Sequence, residues 1–252
     1  MSPLLALRQR LPGSLVALDF DGTLAPVVSD PAQAGLAEGA GELLAALGQR
    51  VGQLAIVTGR PALFVVNQGG LAQLPGLVVL GQYGAECWQD GELQAGDPLP
   101  GLPLARAALA ELPPGAVLED KRTALAVHTR RAPDPAGLLL ALRPRLERLA
   151  VDTGLECHQG RAVLELRPPG QSKGRALRTL LRPPPAAQPS AVLYAGDDLG
   201  DLSAFAVLDG LSIPTVRVCS DSDEAPVELR ERADLVVAGP DGLLALLRSL
   251  LS

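Results

Sequence analysis

The 252-residue chain is poor in aromatic residues, with three Phe, two Tyr and one Trp making up only 2% of it. Rings therefore cannot carry the core, and the 47% of hydrophobic residues must fill it mainly as Ala, Val and Leu. Cysteine is scarce too. Cys87, Cys157 and Cys219 are odd in number and widely separated, which gives neither a disulfide framework nor a zinc-ligand spacing and suits a reducing cytoplasm. There is no long basic run and the net charge is −6, which argues against a nucleic-acid surface. No apolar run reaches membrane-spanning length, and the start, MSPLLALRQRLPGS, lacks the basic head, apolar stretch and cleavage site of an export signal. With 23 Pro and 27 Gly the chain stays below the content at which disorder is expected. A soluble cytoplasmic protein is expected, with no nucleic-acid or membrane partner. Lysine is nearly missing as well: among 22 basic residues only Lys121 and Lys173 are not arginine, so the places where lysine is kept are of interest.

The patterning of what is present divides the chain. SLVALDF, GQLAIVTG and GLVVLGQYGAE are apolar runs that end in polar or Gly-containing turns, and GAGELLAALGQR between the first two has helical spacing through Leu43, Leu44 and Leu47. The last third resumes the alternation, with SKGRALRTLLR, LGDLSAFAVLD and PDGLLALLRSLLS as helices and AVLYAGDD, TVRVC and ADLVVAG as strands. Fully apolar strands joined by helices predict an α/β fold with a doubly wound, Rossmann-like parallel sheet. The middle differs. A helix, PLARAALAEL, precedes the hairpin AVLEDKRTALAVHTR, and a second helix leads to another strand pair, GLECHQG and AVLELRP. This reads as a smaller α+β domain inserted at 101–168 between core segments 1–100 and 169–252, with Pro/Gly-rich flanks as hinges. RPPPAAQPS, at 182–190, reads as a stiff surface loop.

In an open parallel sheet, ligands bind at the carboxyl ends of the strands. Four predicted strands end in polar residues: Asp19-Phe20-Asp21-Gly22, Thr58-Gly59-Arg60, Gln82-Tyr83-Gly84 and Gly196-Asp197-Asp198. The fold gathers Asp19, Asp21, Asp197, Asp198 and Asp201 around one crevice, a cluster stable only with a cation. All-oxygen ligands select a hard one, and Mg2+ is expected. A calcium loop would need glutamate at its twelfth position; counted from Asp19 that position is Asp30, and an apolar strand precedes the motif. Gly22 and Gly59 let backbone amides approach an anion, Thr58 offers a hydroxyl, and Lys173 at a helix start offers a compact charge. One carboxylate can then attack phosphorus, and the second can protonate the leaving oxygen and activate water.

LDFDGTLAPVV, VTGR, SKGRAL and GDDLGD resemble, in order, the four signature motifs of the haloacid-dehalogenase-like (HAD) phosphatases. Within that superfamily GQYGAE, LEDKRTALAVHTR, VLELRPPGQSKGRAL and GDDLGDLSAF resemble the trehalose-6-phosphate phosphatase family. The similarity runs from Ser14 to Phe205 and takes in the inserted segment, which it implies is a cap domain. It implies Asp19 as nucleophile and Asp21 as general acid/base, with a backbone carbonyl that also meets the metal. Asp197 matches the direct metal ligand, and Asp198 and Asp201 its supports through water or Lys173. Thr58 and Lys173 match the phosphate-holding pair, with Gly22, Gly59 and Arg60 beside the substrate. In the cap, Glu119, Lys121 and Glu165 fall where the family contacts sugar hydroxyls. The implied activity is hydrolysis of trehalose 6-phosphate, in trehalose biosynthesis. Three departures stand out: Tyr83 where the family often has histidine, Gly200 where it has threonine, and Thr58 in place of the commoner serine.

Ordinary readings remain beside these. Asp198 and Asp201 could simply cap a helix, and Glu119 and Lys121 could form a solvated strand face. His128 reads as locally bonded, His158 as solvent-exposed, and Cys87 and Trp88 as packing around a short hairpin. Another sugar phosphate, such as mannosyl-3-phosphoglycerate or sucrose 6-phosphate, or a phosphatase-like regulatory subunit without turnover, are the alternative functions. No expected catalytic position is missing, which disfavours the last. Association with a trehalose-6-phosphate synthase is left open by the sequence.

Overall fold

The computed structural model describes residues 3–28, 30–68, 70–160, 162–182, 188–222 and 225–252. In chain order its elements are α1 Pro3–Arg8, β1 Ser14–Leu18, α2 Ala40–Gly48, β2 Gln53–Val57, α3 Ala62–Gln68, β3 Leu77–Gly81, β4 Glu86–Gln89, β5 Glu92–Ala95, α4 Leu102–Ala108, β6 Val117–Asp120 and β7 Leu125–His128. They continue as α5 Pro135–Thr153, β8 Glu156–Gly160, β9 Val163–Arg167, α6 Lys173–Leu180, β10 Ala191–Gly196, α7 Leu202–Asp209, β11 Thr215–Asp221, α8 Val227–Arg232, β12 Leu235–Ala238 and α9 Gly239–Leu251. The chain forms two compact units. One comprises Met1–Gln94 and Ser172–Ser252, and the other Ala95–Gln171, a span wider than 101–168 because it takes in the Pro/Gly-rich flanks. Most of the loop at 182–190 lies outside the described residues.

The first unit is a large sheet of order β12-β11-β10-β1-β2-β3-β4-β5. From β12 to β3 all neighbours are parallel, and β4 adds antiparallel to β3. Every residue of β1, β3 and β10 is buried, because helices cover both faces and leave no side of the pleat for water. Alternate residues feed opposite cores. Val16 and Leu18 of β1 join the layer formed with α2, α3 and α9, while Leu15 and Ala17 join that formed with α6, α7 and α8. Leu15, Leu18, Leu44 and Leu47 are almost wholly excluded from water, each worth about 1.5–3 kcal/mol of burial. The hairpin of β4 and β5 extends the sheet at one edge, and Trp88 plugs into the α2–α3–α9 layer at 3% exposure. Helices α1, α3 and α8 have six or seven residues each, too short to display a helical period in the sequence.

Strand order reverses at the centre of this sheet. From β1 the chain builds outward through β2 and β3 on one side, and later through β10, β11 and β12 on the other. Asp19 and Asp197 are the first residues after β1 and β10, so the switch point carries a carboxylate on each side.

The second unit is an antiparallel sheet of order β6-β7-β9-β8 with α4 and α5 against one face. Leu118, Leu125, Val127, Leu164 and Leu166 point to the helices. By the period of two, Glu119, Lys121, Ala126, His128, Glu165, Arg167, Glu156 and His158 share the other face. Helix α5 starts where Asp134 accepts the Gly137 N–H at 2.9 Å and ends at Gly154, whose φ of 69° only glycine adopts at low cost.

A close approach of α6 and α7 holds the start of α6 in place. A Cβ added to Gly174 would lie 2.3 Å from the Ser203 carbonyl oxygen, and the Gly174 N–H donates to Ser203 Oγ at 2.9 Å. Gly174→Ala is therefore expected to cost about 1–3 kcal/mol and to lower Tm by roughly 3–10 °C in a thermal melt; an unchanged Tm would mean that the two helices separate freely.

Candidate active site

Asp19 is fixed first by its backbone, whose N–H continues the β1–β10 ladder to Ala195 O at 2.9 Å. Its side chain is only 2% exposed and faces Lys173, whose Nζ lies 3.0 Å from Asp19 Oδ1. Lys173 is the first residue of α6, and Ser172 Oγ caps that helix by accepting the Arg175 N–H at 3.1 Å. The same ammonium lies 3.1 Å from Asp198 Oδ1 and 2.9 Å from Asp201 Oδ1.

Asp201 is entirely buried and fully engaged. Tyr194 Oη donates to Oδ1 at 2.7 Å, and the N–H groups of Asp197 and Asp198 both donate to Oδ2 at 3.0 Å. Asp198 and Asp201 also form a reciprocal cap at the turn that leads into α7. With both oxygens of Asp201 occupied by protein donors, it serves to hold the Asp197–Asp198 turn and Lys173. Ligand atoms of Asp19, Asp197 and Asp201 nonetheless lie within 4.8 Å of one another, a buried acidic triad. Asp19 and Asp197 are the members with oxygen lone pairs to spare.

Glycine at position 22 is required by this approach. Its φ is 71°, and a Cβ there would lie 2.0 Å from Asp197 Oδ2. Ser220 Oγ, at the end of β11, donates to Gly22 O at 2.7 Å and pins that loop from beneath. Asp21, in contrast, turns away from the triad. Arg60 grips it with two bonds, Nε to Oδ2 at 2.7 Å and Nη2 to Oδ1 at 2.6 Å, while its guanidinium stacks 4.6 Å over the Phe64 ring. Thr58 Oγ1, buried, accepts the Arg60 N–H at 3.1 Å. Tyr83 lies so close to Gly59 that a Cβ there would come within 2.6 Å of its hydroxyl oxygen. Buried Glu86 ties the two loops together by accepting from Ala62 N at 2.8 Å and from Gln82 Nε2 at 2.5 Å.

The residues expected at the site thus fall into three groups. Asp19, Lys173, Asp197, Asp198 and Asp201 form one cluster, with Gly22 against it. Asp21, Thr58, Gly59 and Arg60 form a second, joined by the Arg60–Asp21 pair rather than by a shared cation. Glu119, Lys121 and Glu165 lie in the second unit, with Lys121 Nζ 2.9 Å from Glu165 and 4.0 Å from Glu119. His128 bonds locally, to Glu119 at 2.8 Å. His158 is not the solvated group its place near a turn suggested: it is half-buried between Glu156 and Arg167. Tyr194, Ser220 and Glu86 were not singled out from the sequence. A hydroxyl in the apolar run AVLYAGDD was the signal for Tyr194, and a serine at a strand end that for Ser220.

Burial and charge act against each other throughout the first cluster. Burial pushes the Asp19 carboxyl well above its ordinary range, Lys173 opposes the rise, and repulsion from Asp197, Asp198 and Asp21 adds to it. Burial likewise raises Asp197 to about 8 against the pull of Lys173. Burial tends to raise Asp198, but Lys173 and its hydrogen bonds outweigh that and hold it below the ordinary value. Burial alone would discharge Lys173, yet Asp19, Asp198 and Asp201 raise its pKa well above that of a free lysine. One ammonium contacts three of the four carboxyl groups, so ionising all four leaves an excess of negative charge that suits a divalent cation held through oxygen.

The large sheet with an inserted α+β unit is the fold of HAD-like phosphatases with a cap. A haloacid dehalogenase-like hydrolase from Bacteroides thetaiotaomicron superposes with a TM-score of 0.66 over 94% of this chain and 99% of its own, at 17% identity. The C-terminal domain of C. albicans trehalose-6-phosphate phosphatase superposes with a TM-score of 0.80 over 100% of this chain and 97% of its own, at 23% identity. Both likenesses are of fold. Sequence goes further: residues 17–233 match the family model for trehalose-phosphatase, and the chain belongs to that family. The trehalose-phosphate phosphatase of Mycobacterium tuberculosis (strain H37Rv) is 37% identical over 228 residues, which cover 85% of this chain. The chain spans about half the length of that relative, which is covered to 56%. Among the described residues no helix is long and apolar enough to cross a membrane.

Binding of a divalent cation is expected to depend on pH in a definite direction. Asp197 must be ionised to act as a ligand. Without a cation its contribution to stability is fully present below its ordinary value of 3.8 and is lost as pH rises to about 8. A bound cation reverses that loss, so the gain in Tm on adding Mg2+ should widen from about pH 6 to about pH 8; a gain that is flat or shrinks over that range would remove Asp197 from the cation site.

Proposed function

We propose that the protein is a Mg2+-dependent phosphatase that hydrolyses trehalose 6-phosphate to trehalose and inorganic phosphate. The observation that carries this reading is the buried cluster of Asp19, Asp197, Asp201 and Lys173 at the switch point of a chain of the trehalose-phosphatase family. Mg2+ would be held by Asp19 and Asp197, with the Asp21 backbone carbonyl, and supplies charge neutralisation for the phosphoryl oxygens when bound.

An Asp19 oxygen attacks phosphorus. The P–O bond to the sugar breaks, and Asp21 gives its proton to the leaving sugar oxygen, so that trehalose departs and phospho-Asp19 remains. A water molecule then gives a proton to Asp21 and attacks the same phosphorus; phosphate leaves and the Asp19 carboxylate is regenerated. Lys173 and Thr58 hold phosphoryl oxygens, and the backbone at Gly22 and Gly59 admits them closely. Asp21 must be free of Arg60 to take up and deliver the proton. Breaking that bidentate pair is therefore part of the cycle, with Phe64 keeping the released guanidinium in place. Glu119, Lys121 and Glu165 read the sugar hydroxyls. The three cysteines, all free thiols, support a reducing cytoplasm as its location.

Phosphate release from a panel of sugar phosphates tests the assignment, with trehalose 6-phosphate expected to be the preferred substrate. Asp19→Asn keeps the shape but cannot attack, so turnover should fall more than ~10³-fold while the thermal melt stays cooperative; near-normal turnover would overturn the covalent mechanism.

Recognition of the sugar is separable from the chemistry. Charged groups bonded to sugar hydroxyls are worth about 1.5–3 kcal/mol each, so Lys121→Ala and Glu165→Ala should cost about 10- to 150-fold in kcat/KM for trehalose 6-phosphate. The same variants should leave p-nitrophenyl phosphate largely unaffected, and parallel losses on both substrates would count against these residues as readers of the sugar.

A further inference from the structure

The face of the four-stranded sheet turned away from α4 and α5 carries a chain of contacts that continues past the residues assigned to the sugar. In register, His158 lies opposite Glu165 and Glu156 opposite Arg167 on the paired strands β8 and β9. Lys121 Nζ meets Glu165 Oε1 at 2.9 Å, and Arg167 Nη1 lies 3.7 Å from the other oxygen, Oε2. Glu165 is thus braced from both sides. Lys121 can reach it because β7, the strand between them, offers only Ala126 opposite Glu165, and alanine leaves the space above it open.

The chain then passes through His158. Arg167 Nη2 lies 2.9 Å from His158 Nδ1, and because guanidinium only donates, Nδ1 is the accepting nitrogen. The ring proton is therefore on Nε2, which donates to Glu156 Oε2 at 3.1 Å. That same oxygen accepts the Gly170 N–H at 3.1 Å. The Gly170 amide and the His158 bond hold Glu156 below the ordinary carboxylate range, as a charged acceptor requires. Gly170 lies in the segment that returns from β9 to Ser172 and Lys173. Pro168 and Pro169 before it have no N–H, so Gly170 is the first residue after Arg167 whose amide can be tied, and its φ of 71° sets a turn there.

We propose that Arg167, His158 and Glu156 are positioning residues that couple Glu165 to the backbone of the return segment at Gly170. Orientation of the sugar-reading carboxylate and setting of the turn at Gly170 are then one event. The part concerning the sugar rests on the function proposed above; the coupling to Gly170 does not.

The two parts are tested separately on the intact protein. Hydrogen exchange at the Gly170 amide should speed up about tenfold in Glu156→Ala and stay near wild type in Glu156→Gln, whose amide oxygen can accept both bonds. Arg167→Ala, two links back along the chain of contacts through His158 and Glu156, should also speed it up, by about threefold. Exchange at Gly170 that is unchanged in Arg167→Ala overturns the coupling, whatever the substrate proves to be. In steady-state assays Glu156→Ala should raise KM for trehalose 6-phosphate about 5- to 10-fold, with recovery in Glu156→Gln and kcat/KM for p-nitrophenyl phosphate within about twofold of wild type. Equal losses on both substrates, or no loss, overturn the role in recognition. Absence of trehalose 6-phosphate turnover in the wild-type protein would instead overturn the proposed function, with the exchange measurements still deciding the coupling.

Discussion

Lys173 Nζ lies within 3.1 Å of three carboxylates from two segments that are far apart in sequence, and much of the first unit can be understood as the means of keeping it there. A buried ammonium needs compensating charge, and buried carboxylates need donors; each is costly without the other. The sheet satisfies both by ending β1 and β10 side by side and delivering the N-terminus of α6 to the same point. Removing any one partner would leave a buried charge unbalanced. Asp201 shows how far the arrangement goes: it takes a phenol, two backbone amides and the ammonium, so it acts as the fixed floor of the cluster.

Arg60 and Lys173 divide the basic work of the site by their shapes. A guanidinium is a planar fork that matches a carboxylate edge, and Arg60 uses it on Asp21. An ammonium is a point that can face several oxygens at once, which is what a convergence of Asp19, Asp198 and Asp201 demands. This gives a physical reason for lysine at 173 in a chain whose basic residues, Lys121 apart, are otherwise arginine.

Much of this is legible in the amino-acid sequence. Apolar runs ending in Asp19, Thr58 and Asp197 encode both the doubly wound sheet and the end of it at which polar side chains gather. The partner of each group was harder to read. Asp21 and Arg60 are 39 residues apart and meet only through the conformations of two loops. Tyr194 sits in a run whose other side chains are apolar, and nothing in that run says that its hydroxyl bonds Asp201. In the second unit Glu119 and Lys121, two apart, mark a polar strand face. Which charge met which depended on strand order and register, and on the alanine at 126 that lets Lys121 span a strand. Helices α3 and α8 were invisible because fewer than two turns give no period.

The scarcity of lysine has a practical consequence. The two side-chain amines are divided between the compact units, Lys121 in one and Lys173 in the other. Lys173 is 3% exposed, so an acylating reagent can reach it only when the carboxylate cluster opens, and Lys121, with 13% of its side chain exposed, is shielded beside Glu165. Amine acylation read by mass spectrometry would therefore report on each unit by a single labelled residue, a two-channel probe of local opening that the amino-acid composition supplies without any engineering.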